Sequence, residues 1–105
     1  MKTVIESPEF IVWSEKIWSD DERMEFIDWI CENSLAGDVI PGTKNLRKVR
    51  WSRQGMGKRG GTRVIYFNRI SSAEIVLLLV YAKAKFDNLR PEFLLKLKER
   101  MNEQD

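Results

Sequence analysis

The 105-residue sequence contains no histidine and a single cysteine, Cys31. Without histidine, the chain lacks the usual general base near neutral pH and the commonest ligand of transition metals. One cysteine leaves no partner for an internal disulfide and too few thiols for a zinc cluster. We therefore expect any catalysis to use lysine, arginine, tyrosine or carboxylate side chains, with no metal and no other cofactor.

Long hydrophobic runs are also missing. The longest, from Ile75 to Ala82, is too short to span a bilayer. Glu6 and Glu9 stand where a signal peptide needs an apolar core. With 43% apolar and 32% charged residues, the sequence predicts one globular domain over residues 1–105, in the cytoplasm and without a membrane partner.

Acidic residues are absent between Asp38 and Glu74, an interval that holds nine of the 18 lysines and arginines. The rest of the chain has nine cations and 16 acids, so the net charge of +2 conceals one basic segment on an otherwise acidic protein. Such a segment indicates a polyanionic partner, and nucleic acid fits best. The alternative is an ordinary solvated surface with a flexible glycine-containing loop at 54–61.

Hydrophobic periodicity predicts the element order βααβββα. The predicted elements are strand 2–6, helix 10–18, helix 19–33, strands 46–52, 62–68 and 74–83, and helix 91–102. Ser19 and Glu22 form a capping box at the start of the second helix. The run at 75–80 is apolar on both faces, which is typical of a central strand. We expect an α+β fold, in which a small antiparallel sheet carries helices packed on one face.

Alternation along the strand at 46–52 divides its cations between two faces. Lys48 and Arg50 share one face, whereas Arg47 lies at the end of the face that carries Val49 and Trp51. RNA supplies its own nucleophile, the 2′-hydroxyl, so a ribonuclease needs only a base, a proton donor and stabilisation of the charged phosphorus. Lysine can act as the base and arginine can bind the developing charge, so cations on one strand face are sufficient for this chemistry.

Four segments carry a family resemblance in addition to this chemistry. They are GDVIPGT at 37–43, LRKVRW at 46–51, GKRGGTRVIY at 57–66 and YAK at 81–83. In this order they resemble the RelE/ParE superfamily of type II toxin-antitoxin toxins, specifically its HigB-like branch. The resemblance implies a RelE-like fold and a toxin that cleaves mRNA in the ribosomal A site. It also implies a cognate antitoxin as partner, and binding to operator DNA only through the antitoxin complex.

Carried over residue by residue, the resemblance implies Arg63 as the stabiliser of phosphate charge and Lys48 or Lys83 as the base. Contacts with RNA or the ribosome are expected from Arg47, Arg50, Lys58, Arg59, Tyr66, Tyr81 and Lys85. The two tyrosines would stack on a base, unless their rings pack inward as ordinary strand aromatics. Ala84 departs from the family pattern, which has a polar residue at that position.

Two other functions are compatible with the same sequence. One is the ParE-like activity, inhibition of DNA gyrase without nuclease chemistry. The other is a weakened member of the family that only binds its antitoxin or nucleic acid.

Overall fold

The computed structural model describes residues 2–51, 61–82 and 89–103. Its elements are β1 (Thr3–Glu6), α1 (Pro8–Ile17), α2 (Asp20–Glu32), β2 (Asp38–Val39), β3 (Arg47–Trp51), β4 (Thr62–Arg69), β5 (Glu74–Ala82) and α3 (Pro91–Glu103). The strands form one sheet in the order β1-β5-β4-β3-β2. The predicted α+β class is therefore confirmed, with β5 and β4 in the interior of the sheet.

Two details of the sheet differ from the prediction. β2 pairs with β3 and adds a fifth strand, which the turn-rich sequence at 37–42 conceals because two residues show no periodicity. β1 runs parallel to β5, so the sheet is mixed, whereas the other pairings are antiparallel. Alternation within a strand carries no information on the direction of its neighbour, so this orientation could not be predicted from pattern.

The third difference concerns the helices, which cover both faces of the sheet. Phe10, Phe26 and Ile30 of α1 and α2 pack on one face, together with Val49 and Tyr66 of the sheet. On the opposite face, α3 packs against the sheet through three buried residues. They are Leu94, Leu97 and Met101. The prediction that all helices lie on one face is wrong for α3, because a strand that is apolar on both faces requires cover on both.

Serine caps fix the starts of α1 and α2. The buried Ser7 Oγ accepts the Phe10 N–H at 2.9 Å and donates to the Leu78 carbonyl at 2.8 Å, which ties α1 to β5. The predicted capping box is confirmed: Ser19 Oγ accepts the Glu22 N–H at 3.2 Å, and Glu22 Oε1 accepts the Ser19 N–H at 3.0 Å. The two helices thus begin at defined positions on one side of the sheet.

An aromatic cluster under that side of the sheet anchors β3. Trp51 makes edge contacts with Trp18 and Phe26, at centroid distances of 5.7 and 5.5 Å. Trp18 stacks on Phe26 at 5.4 Å. Because side chains alternate along a strand, this anchor turns Lys48 and Arg50 to the opposite face.

Candidate nucleic-acid interface

Three cations of β3 and β4 lie on the face of the sheet that α3 partly covers. Lys48 and Arg50 are exposed and flank Val49, which is buried in the α1–α2 core. Arg63 lies directly opposite Arg50 in the antiparallel register, so their Cβ atoms are about 5 Å apart. We call Lys48, Arg50 and Arg63 the cation surface. The structure brings together these three predicted site residues.

Arg63 occupies the middle of a row that crosses three strands. It pairs with Arg50 of β3 on one side and with Tyr81 of β5 on the other. Arg63 is half-buried and its Nη1 atom is inaccessible to solvent, whereas Arg50 is exposed. Exposure therefore rises along the row, from the buried Tyr81 through the half-buried Arg63 to the exposed Arg50. Like charges directly opposite each other destabilise the folded state slightly.

Arg47 does not belong to the cation surface. It lies on the opposite face with Val49, and its Nη1 donates to the carbonyls of Leu35 at 3.0 Å and Gly37 at 3.3 Å. The expected contact between Arg47 and RNA is therefore not supported. The strand alternation already placed this arginine apart from Lys48 and Arg50.

The two tyrosines are buried, so the prediction that they stack on a base is wrong and the inward-packing alternative holds. Tyr66 is 0% and Tyr81 2% exposed. The Tyr66 hydroxyl lies 2.6 Å from the Ala36 carbonyl and 3.0 Å from that of Ser34. Burial raises the pKa of Tyr66 to about 12, an effect that the nearby charge of Arg47 partly offsets.

These contacts hold the chain between α2 and β2, which we call the 34–37 segment. Asn68 Nδ2 also donates to the Ser34 carbonyl at 2.9 Å, so side chains of β3 and β4 bind all four carbonyls of the segment. Gly37 has a φ of +76°, and a Cβ there would collide with the Lys48 carbonyl oxygen. The segment thereby places β2 against β3, with Asp38 opposite Lys48.

Arg69 serves the docking of α3. Its Nη1 lies 3.2 Å from Glu74 Oε1, and its Nη2 donates to the Met101 carbonyl at 3.1 Å and to Asn102 Oδ1 at 3.2 Å. The pKa of Glu74 is lowered by hydrogen bonds from Ser72 and then from Arg69. Counting charges in the sequence could not separate this structural arginine from the cations that face solvent.

Lys98 makes a second contact between α3 and the sheet. Its Nζ donates to Asn45 Oδ1 at 2.7 Å and lies 5.2 Å from the centroid of the Phe67 ring. Partial burial, and then the charge of Lys44, lower the pKa of Lys98. α3 is therefore fixed by polar contacts as well as by its apolar stripe.

Four predicted site residues, Lys58, Arg59, Lys83 and Lys85, lie outside the described residues, as does Ala84. Within the described ranges, no group of three or more acidic, histidine or cysteine residues could hold a metal ion, and no helix is long and apolar enough to cross a membrane. A groove of about 290 Å³ lies between β1, α1 and α2, and none of the cation surface lines it.

No family model matches the sequence, so the likeness to known proteins lies in the fold. The structure is similar to a solved structure of the E. coli toxin RelE, a double mutant in the free state, with a TM-score of 0.60 over 82% of this chain and 87% of that one. At 11% sequence identity the likeness shows the fold alone. The chain is thus an α+β protein with a RelE-like fold, as predicted, and it carries a cation surface on β3 and β4.

Proposed function

We propose that this chain is the toxin of a type II toxin-antitoxin system and that it cleaves mRNA in the ribosomal A site. The cation surface supports the proposal: Arg50 and Arg63 face each other on neighbouring strands, with Lys48 on the same face. Two arginines on neighbouring strands can each bind phosphate oxygens through parallel hydrogen bonds. The RelE-like fold is the scaffold on which these cations are presented.

The proposed reaction uses the 2′-hydroxyl of RNA as nucleophile. A base takes the hydroxyl proton, the 2′-oxygen bonds to the adjacent phosphorus, and the bond from phosphorus to the 5′-oxygen breaks as that oxygen gains a proton. Arg63, which lies between Arg50 and Tyr81 in the register of the sheet, would bind the charge that develops on the phosphoryl oxygens. Lys48 is the candidate base on the cation surface, and Lys83 is the candidate from outside the described residues. Neither role needs a metal or another cofactor.

The proposal also includes the partners implied by the family resemblance. A cognate antitoxin would restrain the toxin, and operator DNA would be bound through the antitoxin complex. The ribosome would present the mRNA in the cytoplasm, and the HigB-like branch would account for the four sequence motifs.

Primer extension on an mRNA under translation tests the proposal. The wild-type protein should produce cuts at fixed positions within codons, and Arg63→Ala should abolish them while leaving a cooperative unfolding transition. Arg100→Ala is the matched control, because it removes one arginine charge on α3, where the guanidinium pairs with Glu9 at 3.2 Å. This control should cut like the wild type.

Two results would refute mRNA cleavage. If translation continues while DNA supercoiling stops, the chain is a gyrase inhibitor. If neither translation nor DNA supercoiling is affected and the chain only co-purifies with a small protein encoded next to it, the chain is a binding partner without catalytic activity.

A further inference from the structure

The side chain of Arg50 lies against Gly61, the residue that precedes β4. A Cβ added to Gly61 would be 2.8 Å from both Cγ and Nε of Arg50, and 3.3 Å from Cδ. Real Cβ atoms essentially never come within 3.0 Å of a neighbouring atom. The space that Arg50 occupies is therefore available only because position 61 has no side chain.

The absence of a side chain at Gly61 permits the direction in which Arg50 extends. Gly61 is two residues before Arg63 and so belongs to the same face of the sheet, about 7 Å further along the strand. Arg50 is directly opposite Arg63 in the register, yet its stem extends over Gly61. This course places the Nε end of the Arg50 side chain beside Gly61, at the start of β4.

Without this extension, the two opposed arginines would compete for the same phosphate. With Arg50 extended over Gly61, the two arginines can each bind a phosphate of the same RNA strand. A side chain at position 61 would push the stem of Arg50 from this course, although Arg50 would stay charged and exposed.

We propose that Gly61 is a positioning residue, which directs Arg50 so that the cation surface contacts one more phosphate of a single-stranded RNA than it otherwise would. The inference rests on the proposed function, because that function makes the polyanion RNA. It assigns a role to a glycine that makes no contact with the RNA through a side chain of its own.

Binding of a short fluorescent single-stranded RNA, measured between 50 and 200 mM salt, tests the inference. Loss of one phosphate contact should reduce the slope of log K against log salt by about 0.7. Gly61→Ala and Arg50→Ala should each show this reduction, and the double variant should show no more than Arg50→Ala alone. The inference is overturned if Gly61→Ala leaves the slope unchanged, or if it reduces the slope again when Arg50 is already alanine.

Gly42→Ala controls for the general effect of replacing a glycine. Its φ of +83° makes alanine strained there, but among the described residues the added Cβ would meet Pro91 alone, at an ordinary 3.7 Å. This variant should lose stability and keep the wild-type slope. If it also loses slope, stability rather than the position of Arg50 explains the effect.

Folding itself provides a second readout. Should Gly61→Ala fail to fold, adding Arg50→Ala must restore folding, since the side chain that meets the new Cβ is then gone. Failure to restore it would overturn the inference. The mRNA cleavage assay separates the inference from the proposed function. If the slopes change as expected but the protein cuts no mRNA, cleavage alone is refuted. If the protein cuts mRNA but Gly61→Ala leaves the slope unchanged, the role of Gly61 is refuted.

Discussion

Replacement of Tyr66 by phenylalanine should reveal how much the 34–37 segment contributes to stability. The ring is fully buried, and its hydroxyl lies 2.6 Å from the Ala36 carbonyl. Phenylalanine keeps the ring and removes only this donor. The Ser34 carbonyl still accepts from Asn68, so the Ala36 carbonyl loses most from the exchange.

The size of the effect at neutral pH follows from that lost hydrogen bond. A net intramolecular hydrogen bond contributes about 1 kcal/mol, and a carbonyl left without a partner costs about 1 to 3 kcal/mol when it is buried. Because the 34–37 segment is near the surface, we expect a loss of roughly 1 to 2 kcal/mol. For a domain near this size, each kcal/mol lowers Tm by roughly 4 to 8 °C.

Alkaline pH should remove this difference. The folded-state pKa of Tyr66, about 12, is above the ordinary value of 10.0, so the stabilisation is complete below pH 10 and is lost as pH rises toward 12. Linkage gives a loss of roughly 1 kcal/mol by pH 11 and of roughly 2 to 3 kcal/mol above pH 12. Tyr66→Phe has no phenol and escapes this loss. The two proteins should therefore be about equally stable near pH 11.

Urea denaturation of both proteins between pH 7 and pH 11.5 measures the difference. Other groups that titrate in this range, lysines above all, are common to the two proteins and cancel in the comparison. A stability difference that stays constant over the range would refute the reasoning, because it would mean that the Tyr66 phenol ionises as easily in the folded chain as in the unfolded one.

Two further predictions concern charged residues of the sheet. Arg47→Ala should lower the free energy of unfolding by about 1 kcal/mol through two lost bonds to carbonyls, whereas Lys48→Ala should change it by less than about 0.5 kcal/mol and weaken RNA binding. Denaturation and salt-dependent binding check this pair, and equal weakening of binding by both variants would contradict it. The pKa of Glu74 is lowered in the folded protein. Its contribution to stability is therefore present above the ordinary pKa of 4.5 and is lost as the pH falls through the lower pKa of the folded state. Glu74→Gln should therefore reduce the dependence of stability on pH in acid, as followed by thermal melting, and an unchanged dependence would contradict it.

Much of the fold and part of the candidate site could be predicted from local patterns. Alternation separated Lys48 and Arg50 from Arg47, and the capping box set the start of α2. The 34–37 segment could not be predicted, because the hydrogen bonds from Tyr66 and Asn68 join residues 30 to 34 positions apart. Such contacts depend on how the sheet assembles and leave no periodic signal.

Charge counting over-estimated the cation surface for a related reason. A run without acids shows where a positive potential originates but not which side chains reach solvent. Arg47 and Arg69 point to carbonyls and to α3, where their charge supports the fold. A guanidinium has five donors and suits either purpose, so only its surroundings decide between a structural and a binding role.

The strands that carry the cation surface depend little on that surface for their own stability. β3 is anchored from the other face by Trp51 in the aromatic cluster and by Arg47 on the 34–37 segment. Opposed like charges such as Arg50 and Arg63 cost a fraction of a kcal/mol, which is small beside these contacts. The fold therefore tolerates repulsion on this face, so the residues there can serve the RNA binding that we propose.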